Sequence, residues 1–143
     1  MSVKSMAIAA SGLHAQRIRM QALSANMANV NTTRGPGGMP YQRLVPIFQA
    51  DPLDSSFAAE LEDQRQLYAV RVEKVASSDR EPNWVYDPDH PDADAQGFVG
   101  MPNINVVEEM TDMLSAARSY EANLAAMQTA KNMAKQAIDI GSG

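Results

Sequence analysis

The chain has 143 residues, of which 45% are hydrophobic and 20% are charged, a balance typical of one globular domain rather than of a disordered chain. It contains no cysteine, so disulfide frameworks, thiol nucleophiles and cysteine-based zinc sites are excluded. No run of residues reaches the roughly 18 apolar positions of a membrane-spanning helix, so no membrane span is expected. Ten methionines against eight aromatic residues favour adaptable helix packing over an aromatic enzyme core.

The net charge of −5 hides a gradient along the chain. Residues 1–50 carry five basic and no acidic side chains, whereas residues 51–100 carry four basic and twelve acidic ones. The basic residues are sparse and lack an aromatic stacking platform, which argues against a nucleic-acid binder. We expect this gradient to serve complementary contacts between copies of the chain.

The first predicted element is one long helix over about residues 2–31, because apolar side chains recur along it at heptad spacing with only Gln16 as an exception. Its predicted seam comprises Met6, Ala9, Leu13, Met20, Leu23, Met27 and Val30. A second apolar surface comprises Ile8, Ala15, Ile18, Ala22 and Ala25. A helix that is apolar on more than one stripe should have partners on several sides, and Gly12 should let one of them approach closely. The pattern continues without a break past the apolar start, which argues against a cleaved signal peptide.

The middle of the chain, residues 34–101, holds most of the prolines and glycines and opens with a glycine-rich hinge at residues 35–38. Residues 41–49 and 66–76 are predicted strands, and residues 84–86 are a possible third. Residues 51–64 are predicted to form a polar loop. This middle region is therefore expected to be extended and partly β.

The last predicted element is a helix from about Val106 to Asp139, with Asn105 as its capping residue and Glu108 at the third position. Its apolar seam is regular apart from Lys131. The predicted seam comprises Val106, Met110, Met113, Ala117, Tyr120, Leu124, Met127, Ala134 and Ile138.

Helix length then bears on the architecture. The two predicted helices are roughly 45 and 50 Å long, whereas a compact body of this size has a radius of gyration near ~15 Å. We therefore predict a mainly α fold with a small irregular β middle, in which two long terminal helices pair as an antiparallel coiled coil and polymerise into a helical tube. The predicted regions are an N-terminal helix with its asparagine-rich end (1–33), an extended middle (34–101) and a C-terminal helix (102–143).

Candidate chemical sites are few. The aspartates and His90 of residues 87–94 could ligate a metal, but the central glycine and bidentate glutamate of a calcium loop are missing at the required offsets, so a rigid solvated turn is favoured. His14 has no carboxylate nearby in sequence to orient it as a catalytic base, which favours a packing role. We predict no catalytic residue, cofactor or metal, and a small metal-binding module that uses Asp87–Asp94 stays open as the alternative of a different class.

Several motifs together resemble flagellar rod and hook proteins. The sequence SANMANVNT at residues 24–32 is similar to the Asn-x-Ala-Asn-x-Asn-Thr motif that ends the N-terminal helix of that family. The C-terminal half adds similar motifs at residues 97–99 (GFV), 101–103 (MPN), 106–110 (VVEEM) and 117–123 (ARSYEAN). The residues that match the first motif are Asn26, Ala28, Asn29, Asn31 and Thr32.

The resemblance implies a structural, non-enzymatic subunit of the proximal rod in the flagellar basal body. Such a subunit would be exported by the flagellar type III apparatus without a cleaved signal peptide, and would assemble with copies of itself and with other rod proteins into a drive shaft across the periplasm. The matched motif would serve assembly, with its asparagines bonding backbone groups where the helix ends. Another rod subunit of similar size stays open as the nearest alternative.

Overall fold

The computed structural model describes residues 2–53 and 67–141, except for the side chains of residues 2, 3 and 36. Most of the predicted polar loop at residues 51–64 lies outside the described residues. The elements, in chain order, are α1 (Ser2–Ala28), a 3₁₀ turn (Pro36–Gly38), β1 (Leu44–Pro52), β2 (Tyr68–Ser77), β3 (Asn83–Tyr86), β4 (Phe98–Met101) and α2 (Val106–Gly141). Within the described residues, no helix is long and apolar enough to cross a membrane.

The predicted elements are confirmed, with shifted ends. The first helix stops at Ala28, three residues early. The second begins at Val106 as predicted, because Oδ1 of Asn105 accepts the N–H of Val107 at 3.0 Å and caps the first turn. Three strands lie where the sequence predicts strands, but β4 was not predicted. It has only four residues and contains Gly100, which weakens the sequence signal of a strand.

The two helices pack against each other in antiparallel order. Successive contacts pair Gly12 with Asn123, Arg19 with Asp112, and Asn26 with Glu109, so the partner numbers fall as the α1 numbers rise. A Cβ added to Gly12 would lie 2.7 Å from Nδ2 of Asn123, so any larger residue here would force the Asn123 side chain to move. The predicted role of Gly12 is confirmed. The buried apolar side chains of the two helices, mostly small, are Ala9, Ala15, Ala22, Leu23, Ala116 and Ala130.

The α1 helix also packs against the hairpin formed by β1 and β2. Oγ of Ser11 accepts the N–H of Val70 at 3.1 Å and donates to the carbonyl of Ile8 at 2.7 Å, which joins the helix to β2. The predicted second apolar surface of α1 includes Ala15 and Ala22, which are both buried. The first helix therefore has partners on more than one side, as its sequence predicts.

The strands form two separate antiparallel hairpins. The first pairs β1 with β2 from Leu44↔Ser77 to Pro52↔Tyr68, with a register shift between Ile47 and Phe48. The second pairs β3 with β4 from Asn83↔Met101 to Tyr86↔Phe98. The first hairpin lies against α1, and the chain that leaves the second hairpin leads directly into α2.

Candidate assembly site

The side chain of Asn26, in the last turns of α1, is completely buried and makes four hydrogen bonds. Its Nδ2 donates to the carbonyl of Leu44 at 3.0 Å and to Oε2 of Glu109 at 2.9 Å. Its Oδ1 accepts the N–H of Leu44 at 2.7 Å and the hydroxyl of Tyr41 at 3.1 Å. An asparagine amide has two donor hydrogens and an oxygen with two lone pairs, so this side chain is fully satisfied.

The two bonds to Leu44 complete the outer edge of β1. The N–H of Ser78 donates to the carbonyl of Arg43 at 2.7 Å, so the backbone groups of Arg43 point towards β2. Neighbouring residues of an antiparallel strand direct their backbone groups to opposite sides, so those of Leu44 point away from β2. The amide of Asn26 bonds both of these groups and takes the place of a missing strand there.

Glu109 carries a completely buried carboxylate at the start of α2. Its Oε1 accepts a hydrogen bond from Nε of Arg43, whose side chain is 13% exposed. Nη2 of Arg43 also lies 3.7 Å from Oδ2 of Asp112, and Nη2 of Arg19 lies 3.0 Å from Oδ1 of the same residue. Both oxygens of the Glu109 carboxylate thus have a donor, which avoids the large cost of an unpaired buried charge. We call Asn26, Arg43 and Glu109 the buried polar cluster; it joins α1, the start of β1 and α2.

The hydroxyl of Tyr41 borders this cluster. Burial raises the pKa of Tyr41, and the negative charge of Glu109 raises it further. The hydroxyl therefore keeps its proton at neutral pH and can donate it to Oδ1 of Asn26.

The rest of the asparagine motif stabilises the end of α1. Nδ2 of Asn29 donates to the carbonyl of Ala25 at 2.9 Å, which is the backbone bonding that the motif predicts. Oγ1 of Thr32 donates to Oδ1 of Asn29 at 3.1 Å. Ala28 and Asn31 are exposed. The function of these residues in assembly stays a prediction.

The predicted seam residues fall into three groups in the single chain. The buried members are Ala9 and Leu23, which are 5% and 4% exposed. The half-buried members are Met6, Leu13, Met20, Met27, Val30, Met113, Ala117, Tyr120, Met127 and Ala134. The exposed members are Val106, Met110, Leu124 and Ile138. The buried positions of α2 are instead Glu109, Ala116 and Ala130, which are separated by multiples of seven residues.

Some of the basic charge of the first 50 residues is paired within the chain. Three of the five basic residues in the first 50 pair with carboxylates from the later part of the sequence. These pairs are Arg19–Asp112, Arg34–Asp92 and Arg43–Glu109. The partners lie 58 to 93 positions away in the sequence, and only Asp92 belongs to the acidic residues 51–100. The expectation that the gradient serves contacts between copies stays a prediction.

The loop that follows β3 has the character of a rigid turn. Oδ2 of Asp92 accepts the hydroxyl of Thr33 at 2.7 Å, while Oδ1 lies 2.9 Å from Nη2 of Arg34. Nδ1 of His90 accepts the backbone N–H of Asp92 at 3.0 Å, which places the proton of a neutral ring on Nε2. Oδ1 of Asp94 accepts two backbone N–H groups of the same turn. In the part of the chain that the structure describes, no group of three or more histidine, aspartate or glutamate side chains converges as a metal site.

His14 is exposed on α1. Its Nδ1 lies 3.2 Å from Nη2 of Arg17, one turn further along the helix. This neighbour is a donor of hydrogen bonds and not a carboxylate, so the contact does not orient the ring as a general base.

Comparison with known families agrees with the paired-helix architecture. Residues 6–36 match a family model described as flagella basal body rod protein, and residues 95–140 match one described as flagellar basal body rod FlgEFG protein C-terminal. The first match covers most of α1 and its asparagine motif, and the second covers β4 and nearly all of α2. Together they define the class as flagellar basal-body rod proteins.

Relatives that align along nearly the whole chain narrow this class. The chain is 40% identical to FlgC of Bacillus subtilis, with 96% of each chain covered. It is 40% identical to FlgC of Aquifex aeolicus, over 92% of this chain and 91% of the relative, and 37% identical to FlgC of Salmonella typhimurium, over 94% and 93%. The chain belongs to the FlgC family of flagellar basal-body rod proteins. This result decides against the alternative of another rod subunit of similar size.

Proposed function

We propose that this chain polymerises into the flagellar rod, with its terminal helices forming a packed, coiled-coil wall of a helical tube that transmits torque across the periplasm. The observation that carries the proposal is an apolar stripe on the outer side of α2. Met110, Leu124 and Ile138 are 55%, 39% and 69% exposed and are separated by multiples of seven residues. The buried residues Glu109, Ala116 and Ala130 form a neighbouring heptad column. Each member of the apolar stripe follows a position of that column by one residue, so the stripe is rotated about 100° around the helix from the buried column.

This outer stripe has the properties of an unfilled helix seam. Heptad spacing keeps its members on one line along the helix, with half-buried Ala117 and exposed Lys131 at the positions between them. A second helix could cover the apolar members at once, while the long side chain of Lys131 reaches solvent. A contact between such a stripe and a different surface of the next copy would be heterologous, and contacts of that kind generate helical polymers when the rotation does not close.

The hairpin of β3 and β4 offers a second contact surface. Trp84, Tyr86 and Phe98 lie on one face of it, and they are 63%, 64% and 40% exposed. The rings of Tyr86 and Phe98 meet edge to face, with their centroids 5.3 Å apart. Exposed tryptophan and tyrosine are enriched at protein interfaces. We assign this face to contacts with other rod proteins, while the α2 stripe binds copies of the chain.

We further propose that the N-terminal segment is retained when the protein is exported through the flagellar type III apparatus to the periplasmic rod. Ala9, in the apolar start of α1, is buried in the fold. Cleavage after this apolar start would remove part of the packed helix, which supports retention. Removal of the first residues up to Leu13 should therefore prevent a stable subunit from forming.

The test of polymerisation compares two substitutions on α2. Leu124→Glu adds a charge that solvent can reach in the single subunit but that would be buried in the wall, where an unpaired charge costs several kcal/mol, roughly 3–5. Ala122→Glu is the matched control, because Ala122 is exposed and lies about 200° around the helix from Leu124. Leu23 is unsuitable for this test, since its burial means that a charge there would unfold the subunit itself.

Both variants should be expressed and exported at normal levels. Electron microscopy of basal bodies should show rods and hooks with Ala122→Glu and none with Leu124→Glu. Complete rods that contain the Leu124→Glu subunit would refute the proposal that the outer stripe of α2 forms the packed wall.

A further inference from the structure

Apart from the close approach of Gly12 to Asn123 and the Arg19–Asp112 pair, the packing of α1 against α2 contains little information about their register. The buried apolar positions are mostly alanine, and small side chains fit a neighbouring groove at more than one offset. On α2 the inward positions Glu109, Ala116, Asn123 and Ala130 repeat at seven residues, and the methionines beside them adapt to many surroundings. A slide of one heptad would therefore keep apolar groups against apolar groups. Something other than apolar packing must select the observed offset.

The buried polar cluster distinguishes this offset from its neighbours. Glu109 is the only charged side chain among the inward positions Glu109, Ala116, Asn123 and Ala130, and it meets both Asn26 and Arg43. A slide of seven residues in one direction would bring Ala116 to this place, and a slide in the other would bring the chain before α2. In either case Nε of Arg43 would lose its buried acceptor, and Nδ2 of Asn26 would keep only the carbonyl of Leu44. Removing one partner of a buried charge pair is costly because the other partner stays desolvated.

We propose that the buried polar cluster is a register lock: Asn26, Arg43 and Glu109 are positioning residues that select which heptad of α2 faces α1. The lock is independent of polymerisation, since all three residues lie within one chain. Asn26 also bonds both backbone groups of Leu44, so the same cluster holds the helix pair in place against the β1–β2 hairpin. The position of the outer stripe of α2 relative to the hairpins follows from this choice of register.

Register can be read directly by disulfide formation, because the natural chain contains no cysteine. The native-register probe is Gly12→Cys with Asn123→Cys. A Cβ at Gly12 would lie 2.9 Å from Cγ of Asn123, the place that a cysteine sulfur would occupy, which fits disulfide geometry. The slipped-register probes pair Gly12→Cys with Ala116→Cys or with Ala130→Cys, one heptad away on either side. Both slipped probes also carry Asn123→Ala, which removes the clash with a side chain at position 12.

Each probe is placed in three versions of the full chain: the natural one, a lock-free one with Arg43→Met and Glu109→Met, and a control with Arg80→Met and Glu108→Met. The lock-free changes replace the buried ion pair with apolar groups, which is often neutral for stability; Nδ2 of Asn26 then keeps only the carbonyl of Leu44 in every register. The control removes an exposed ion pair, with Nη2 of Arg80 3.3 Å from Oε1 of Glu108, one residue earlier on the same helix. Intrachain disulfides are identified by peptide mapping of dilute, oxidised protein, and helix content is followed by circular dichroism.

In the natural and control versions, the native-register probe should link and the slipped-register probes should link poorly. In the lock-free version, the yield of the slipped-register probes should rise by about tenfold or more while helix content is retained, because the penalty against sliding is removed. Exclusive linking of the native-register probe in the lock-free version would overturn the proposal. Loss of helix and of all links there would also overturn it, because the cluster would then be required for folding rather than for register. No link from the native-register probe in the natural version would contradict the observed offset itself.

Discussion

Replacing Asn26 by alanine tests how much of the subunit's stability depends on one side chain. The substitution removes all four hydrogen bonds of the buried amide at once. The carbonyl and N–H of Leu44 then lose their partners at the outer edge of β1. Tyr41 loses its acceptor, and Glu109 keeps only Arg43.

The expected loss follows from counting the groups that are left without a partner. A buried polar group that loses its hydrogen bond costs about 1–3 kcal/mol. The two backbone groups of Leu44 cannot turn towards another partner, whereas the hydroxyl of Tyr41 can rotate and Glu109 keeps one donor. We therefore expect Asn26→Ala to lower the free energy of unfolding by about 3 kcal/mol, a large share of the roughly 5–15 kcal/mol of a typical domain.

The same motif supplies two matched controls. Asn29 is half-buried with one backbone bond, so Asn29→Ala should cost about 1 kcal/mol. Asn31 is exposed, so Asn31→Ala should change stability by less than about 0.5 kcal/mol. Urea unfolding of the full chain, followed by circular dichroism at one protein concentration, measures all three. If Asn26→Ala costs no more than Asn31→Ala, the buried polar cluster does not stabilise the subunit as the geometry requires.

Three further substitutions test other contacts. Gly12→Ala should lower the thermal unfolding temperature, because its Cβ would lie 2.7 Å from Nδ2 of Asn123, and adding Asn123→Ala should recover most of the loss; no recovery would contradict this close approach. The pKa of Glu108 is lowered first by the hydrogen bond from Arg80 and then by the charge of Arg80. This exposed pair therefore stabilises the fold at pH values above the unfolded-state pKa of glutamate, and the stabilisation disappears as the pH falls through the lowered folded-state pKa. Glu108→Gln should therefore weaken the acid dependence of stability slightly, an effect that salt suppresses, and an identical pH profile would argue against the pair. Asp89→Asn should leave rod formation and swimming unchanged, since Asp89 is exposed and has no assigned role; loss of motility at normal protein level would favour the metal-binding alternative.

Local sequence patterns predicted the secondary structure well because their physical causes are themselves local. The cap at Asn105 involves bonds to residues two and three positions ahead, at 3.0 and 3.4 Å, and such contacts can be inferred from spacing alone. The heptad repeats made both long helices visible, and alternation along β2 made that strand visible. The short strand β4 was missed, because four residues with an internal glycine have a weak strand signal and the pairing with β3 is a tertiary contact.

The sequence by itself determined the two long terminal helices, the extended middle and, through the asparagine motif, the class of rod and hook proteins. Only the tertiary structure showed which stripe of α2 faces α1 within the chain and which faces outward. Both stripes have heptad spacing, and the inner one contains Glu109, whose burial the spacing does not show. Its true partners, Asn26 and Arg43, lie 83 and 66 positions away in sequence. A buried charge becomes acceptable only when distant parts of the chain supply its donors, and that condition is met only in the folded chain.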